Sequence, residues 1–253
     1  MSGAAGRHGM GRLLIGPRVL LAALGVVLPV AALGVALCRS ERSSWRLAGW
    51  MLRLAGRLTG VLPHRKVRLP EGPFVAVSNH ASNLDPLVLI AALDRPLVFI
   101  AKREMFGWPL VGAYARRLGA IPVERGRPGA RARAFRAAVR AAGDGRPVHV
   151  FPESTISGRP GVRPFRLGAF RLAVEHRLPI VPLAIVGTRQ ALPAGSWLPR
   201  PARVEVRVLE AITPPAAPGD PEALAAFRER VRRALAEALG EPLLEPEGRA
   251  EKP

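Results

Sequence analysis

His80 and Asp85 stand five residues apart in the segment Ser78-Asn79-His80-Ala81-Ser82-Asn83-Leu84-Asp85. A neutral imidazole can take a proton from a hydroxyl group. A carboxylate on its far nitrogen fixes the tautomer and stabilises the cation that forms. The segment follows the apolar run Phe74 to Val77 and leads into Asp85-Pro86, a pair that opens helices. It therefore reads as the turn after a strand, where open α/β sheets bind ligands. On spacing alone a second reading stands beside this one, with Asp85 as a helix cap and His80 as a polar loop residue. The other histidines offer less: His8 lies near the amino terminus, His64 in a Pro-His-Arg-Lys linker, His149 inside an apolar run and His176 at a helix end. No two of them fall at metal-ligand spacing with carboxylates, so no metal is expected.

Alternating strands and helices must hold that turn. Strands are expected at Phe74 to Val77, Leu97 to Ile100, Ala120 to Val123, Val148 to Phe151, Ile180 to Val186 and Val204 to Leu209. Helical spacing appears over Leu87 to Leu93, Trp108 to Arg117, Ala130 to Ala142 and Leu167 to His176. It appears again after Asp220-Pro221, where Leu224, Phe227, Val231, Leu235 and Leu239 recur every three or four residues. This alternation predicts an α/β fold with a mainly parallel sheet flanked by helices over residues 67–240. Residues 241–253 read as a disordered tail. The chain has no GxxxxGK[ST], no GxGxxG after a strand and no GxSxG elbow, so nucleotide-binding and serine-hydrolase readings lack support.

The 253 residues are 49% hydrophobic and 23% charged, which excludes an intrinsically disordered chain. The formal net charge is +19, and all but three of the 38 basic residues are arginine. Such an excess implies polyanionic company. With Cys38 as the single cysteine, neither an internal disulfide nor a cysteine metal site can form. Val19 to Cys38 runs twenty residues without a charge. At 1.5 Å per residue that is about 30 Å of helix, the thickness of a bilayer core. Residues 1–43 are thus expected to be a membrane anchor rather than a cleaved signal. The basic excess downstream of it favours a cytoplasmic position for the following domain, at the inner membrane. Residues 44–66 are expected to form an interfacial amphipathic helix, with Leu47, Trp50, Met51, Leu54 and Leu58 on one side and Arg46, Arg53 and Arg57 on the other. Trp45 and Trp50 are of the type found at headgroup level. Positive charge beside an anionic bilayer leaves no need for a nucleic-acid partner.

Four segments, in order, resemble the membrane glycerolipid acyltransferases typified by bacterial 1-acylglycerol-3-phosphate acyltransferase. Asn79-His80 to Asp85 is similar to the family's NHxxxxD motif. Phe99 to Gly112 resembles its lysine-containing segment and leads into Gly119-Ala-Ile-Pro-Val-Glu-Arg125, similar to the second motif with Glu124 where aspartate is commoner. Phe151-Pro-Glu-Ser-Thr-Ile-Ser157 resembles FPEGTR, and Ile180 to Ile185 resembles a fourth, proline-containing strand.

The resemblance implies direct acyl transfer from acyl-CoA or acyl-carrier protein to the hydroxyl of a lysophospholipid, with no cofactor and no covalent acyl-enzyme. By that resemblance His80 is the general base and Asp85 its orienting partner. Asn79, Lys102, Arg125, Glu153, Ser154 and Thr155 are the substrate-binding candidates, Arg125 binding acceptor phosphate with Lys102 assisting. Two departures matter. Ser154 stands where the motif has glycine, and Ile156 where an arginine commonly helps bind the acceptor. They keep a different lysolipid, such as lyso-ornithine lipid, or a non-catalytic lipid-binding module as alternatives.

Overall fold

The computed structural model describes residues 34, 38, 40–61, 63, 65–124, 127–156, 158–196, 198–216 and 219–245. Nearly all of the apolar stretch Val19 to Cys38 lies outside them. Among the described residues no helix is long and apolar enough to cross a membrane.

The first helix, α1 (Glu41–Thr59), begins where the Ser40 side chain accepts from the Ser43 amide and ends at left-handed Gly60. Its Trp45, Ala48, Leu52 and Ala55 recur at helical spacing and are buried. The Trp45 indole N–H donates to the Leu93 carbonyl at 3.1 Å, and Arg53 donates to the Ala91 carbonyl at 2.7 Å. The helix is therefore a layer of the domain itself, which corrects the expected boundary at residue 67. Trp45, expected at headgroup level, lies in the core. Trp50 and Leu54, by contrast, are 57% and 38% exposed on the outer side. The cause is a second apolar row on the same helix, richer in small residues and so better suited to close packing.

Six strands make one sheet: β1 (Val75–Ser78), β2 (Val98–Lys102), β3 (Ile121–Val123), β4 (Val148–Val150), β5 (Ile180–Val186) and β6 (Glu205–Val208). Their order is β3-β2-β4-β1-β5-β6, with β1 central. All neighbours pair in parallel except β5 with β6, the antiparallel edge. Register aligns Val75 with Val148 and with Ile180, so β1, β4 and β5 end side by side. Central strands covered on both faces are largely apolar, and Val75 to Val77 are fully buried.

Helices cover both faces. On one lie α1 and α2 (Asp85–Ala92), packed over Ala76, Phe99, Val181 and Leu183. On the other lie α4 (Ala130–Gly143), α5 (Gly168–Glu175) and α7 (Pro221–Leu239), packed over Val75, Val77, Val98 and Val148. A 3₁₀ turn (Arg103–Gly107) and α3 (Pro109–Arg117) follow β2, and the short α6 (Thr188–Ala191) follows β5. Asp220 caps α7 by accepting from the amides of Glu222 and Ala223.

Residues 241–245 do not behave as the expected loose tail. Leu243 bridges Val162 in parallel, Glu241 accepts from the Gly161 amide at 2.8 Å, and Arg232 donates to the carbonyls of Val162 and Leu244. The loop after β4 offers unpaired backbone groups, and this segment satisfies them. Residues 246–253 lie outside the described residues.

Candidate active site

The site is assembled where β1, β4 and β5 end. After Ser78 the chain turns through Asn79 to Leu84 before α2 begins, and Asp85 folds back across that turn. Its Oδ2 accepts from the amides of Ala81 (2.8 Å) and Ser82 (2.9 Å) and contacts His80 Nδ1 at 2.9 Å. Asp85 is fully buried, so the three N–H groups on one oxygen are what make its charge tolerable there. It is no side-chain helix cap, since α2 starts without one. With Nδ1 bonded to the carboxylate, Nε2 is the nitrogen left to exchange a proton, on a side chain 19% exposed.

The backbone around the imidazole is tied to both neighbouring strands. The His80 amide donates to Glu153 Oε1 at 2.9 Å, and the second Glu153 oxygen accepts from the Arg163 amide at 3.3 Å. On the other side the Asn79 side chain donates to the Ile185 carbonyl (2.9 Å) and accepts from its amide (2.8 Å). Asn79, expected to bind substrate, is only 4% exposed and clamps β1 to β5. Glu153, also buried, titrates high: burial is the larger cause, backed by the Asp85 charge. The amides of His80 and Arg163 and the Arg163 charge pull the other way, leaving its pKa at about 7.

Beneath the imidazole lies an aromatic stack. Phe151 lies nearly parallel to the His80 ring, with centroids 4.1 Å apart and 20° between planes. His149 meets Phe151 edge-on at 4.5 Å, Phe99 meets His149 at 5.1 Å, and Trp45 stacks on Phe99 at 6.1 Å. An unbroken series of rings thus runs from α1 to His80. His149 is buried; burial first, and the His80 charge second, push its pKa down to about 3, so it stays neutral. Its Nε2 lies 2.9 Å from Ser78 Oγ, whereas Nδ1 is buried without a partner. A proton on Nε2, donated to Ser78, leaves the cheaper bare acceptor at Nδ1.

The remaining candidates are more scattered. Lys102 ends β2, two strands from β1, exposed and in no ion pair among the described residues. Arg125 lies outside the described residues, whereas its neighbour Glu124 pairs with Arg127 at 3.0 Å. Thr155 is exposed and Ser154 half-buried. Ser154 holds φ at +60°, a left-handed conformation that glycine adopts without strain. Neither the ring stack nor the two clamps on the His80 turn has a signature in residue type or spacing. Asn79 directly before the histidine was the one visible signal, and it was open to a substrate-binding reading.

Residues 61–186 match the family model described as Acyltransferase. The 1-acyl-sn-glycerol-3-phosphate acyltransferase BAT2, chloroplastic, of Brassica napus is 34% identical over 126 residues, covering 50% of this chain and 36% of that protein. A 1-acyl-sn-glycerol-3-phosphate acyltransferase of Limnanthes alba is 32% identical over 139 residues, covering 54% of this chain and 50% of that protein. The chain thus spans half or less of the length of these relatives. Among solved structures, the 1-acyl-sn-glycerophosphate (LPA) acyltransferase PlsC from Thermotoga maritima superposes with a TM-score of 0.69 at 23% identity, over 90% of this chain and 97% of that one. That likeness establishes the shared fold.

Proposed function

The chain belongs, through residues 61–186, to the acyltransferase family, and from that premise we propose that it moves a fatty acyl chain from a thioester donor to the free hydroxyl of a lysophospholipid. The favoured acceptor is 1-acylglycerol-3-phosphate, giving phosphatidic acid, with acyl-CoA or acyl-carrier protein as donor and no cofactor. The observation that carries this reading is the 2.9 Å contact of His80 Nδ1 with Asp85, on a ring whose other nitrogen is left for exchange.

In the reaction His80 Nε2 takes the acceptor's hydroxyl proton as its oxygen attacks the thioester carbonyl carbon. Asp85 holds the ring and stabilises the imidazolium. The tetrahedral intermediate collapses, the C–S bond breaks, and the leaving thiolate takes the proton from the imidazolium. One ester forms, one thioester is lost, and the imidazole returns neutral. We assign Lys102 and Arg125 to the acceptor phosphate, and Ser154 and Thr155 to the polar end of its pocket. Glu153 acts by holding the His80 amide. The membrane anchor at Val19 to Cys38 would keep the domain at the cytoplasmic surface of the inner membrane, where lysolipid and product both reside. A second reading, acylation of lyso-ornithine lipid or another lysolipid, is favoured by Ile156 in place of the motif's arginine.

An acyl-transfer assay on the detergent-purified chain tests this. Acyl-CoA and acyl-carrier-protein donors are presented with lysophosphatidate and with other lysolipids. Turnover is expected with at least one pair and should be lost in His80→Ala, which keeps its folded circular-dichroism spectrum. The general-base proton transfer alone is worth about 10²–10⁴-fold in rate. Activity persisting in that variant would remove His80 from the reaction. Absence of turnover with every pair would leave a lipid-binding module.

A further inference from the structure

Helix α4 contains no acidic residue, and Arg133, Arg136 and Arg140 project from its exposed side at spacings of three and four. None of the three is ion-paired among the described residues. Like charges at this spacing repel, so the helix carries a row of cations that nothing in the described chain offsets. The opposite side of α4, with Ala134, Ala138, Ala141 and Ala142, is buried against the sheet. That face of the sheet is the one turned away from α1 and its exposed Trp50 and Leu54.

At the amino-terminal end of the row lies a cavity of about 240 Å³. Its walls include Arg103, Pro122, Glu124 and Arg133. Glu124 is drawn to Arg127, which leaves Arg103 and Arg133 as the cavity's cations with no ion pair among the described residues. The cavity abuts the end of β3, three strands from β1 in the sheet order. At a strand spacing of about 4.8 Å it lies ~14 Å across the sheet from the His80 strand.

We propose that the α4 arginine row is the docking face for an acidic acyl-carrier protein, and that the Arg103–Arg133 cavity receives the phosphate of its pantetheine arm. The proposal rests on the acyl-transfer reading above and names its donor. A polyanionic protein fits better than a bilayer because the α4 surface exposes no large apolar side chain. Among the described residues the exposed large apolar ones, Trp50, Leu54, Trp108, Val111 and Leu243, all lie on other elements. A thioester on a flexible arm suits a phosphate site set aside from the reacting carbon, since the arm bridges the two.

The full-length chain in detergent is assayed with palmitoyl-carrier protein and with palmitoyl-CoA, using lysophosphatidate as acceptor. The double reversal Arg136→Glu/Arg140→Glu should raise KM for the carrier-protein donor about tenfold and flatten its salt dependence, leaving palmitoyl-CoA turnover unchanged. Arg103→Ala should raise KM for both donors, because both carry a phosphate on the arm, and leave the lysophosphatidate KM alone. An unchanged carrier-protein KM in the double variant overturns the proposal. So does equal loss with both donors, a rise in acceptor rather than donor KM in Arg103→Ala, or a double variant that loses anionic-vesicle binding while keeping its carrier-protein KM. Should the parent chain turn over no pair, the acyl-transfer reading has failed. Direct binding of carrier protein, measured by fluorescence anisotropy with and without the double reversal, then decides the docking face by itself.

Discussion

Phe151 and Ser154 flank the proline–glutamate pair of the third motif and act on the site in opposite ways. The Phe151 ring backs the imidazole and fixes its plane, so Nε2 keeps one direction as the proton moves. Phe151→Leu keeps apolar volume and removes the flat face. It should lower kcat ten- to hundredfold with KM for both substrates unmoved, whereas Phe151→Trp restores part of the loss. A simple packing defect would instead lower stability without that split between kcat and KM. Ser154, at φ +60°, stores backbone strain beside the site. Ser154→Gly should stabilise the fold by about 1 kcal/mol and raise the unfolding midpoint by a few degrees, as read by thermal denaturation. The ring contact could not be read from residue types, and the backbone strain only in part. A phenylalanine in a strand-like run says core, and Ser154 in the glycine position of the motif hinted at an unusual backbone without fixing its φ.

At the level of elements, the strands were legible because most are short, largely apolar runs closed by turn residues, and the edge strand β6 alternates apolar and charged residues. The central position of β1 was not, since order in a sheet depends on which strands meet in space. α1 was half legible. Its period of 3.6 was plain, but it carries two apolar rows, and the one with the larger aliphatic side chains drew the bilayer assignment. Close packing on α2 selected the Trp45-Ala48-Leu52-Ala55 row instead. The segment after α7 was missed because Glu241 to Leu244 has no periodicity; its order comes from distant partners. Glu241 pairs with Arg189 after β5 and with the Gly161 amide after β4. Glu241→Ala leaves a largely buried guanidinium and an amide without their partner. It should cost about 2 kcal/mol, measurable as a lower midpoint in thermal or urea unfolding.

For the molecule as a whole, proton uptake at Glu153 links the fold to pH. Its folded pKa, about 7, lies above the ordinary carboxylate value of 4.5, so the folded state binds a proton that the unfolded chain releases between them. The Glu153 contribution to stability is therefore greatest below about pH 4.5, declines as pH rises through 7, and is constant above. Glu153→Gln should remove up to about 3 kcal/mol of this slope, seen as unfolding curves whose difference from the parent changes across that window and levels off beyond it. The two faces of the sheet also divide the work: a tryptophan-bearing helix covers one and an arginine row the other, with the reacting histidine at the strand ends between them. That histidine is suspended from three strands at once, by covalent continuity with β1, by a carboxylate from the β4 loop and by an amide clamp on β5. Its turn consequently has no private way to melt, so heat or denaturant should extinguish catalysis and the central sheet in one cooperative event, with no folded but inert species in between.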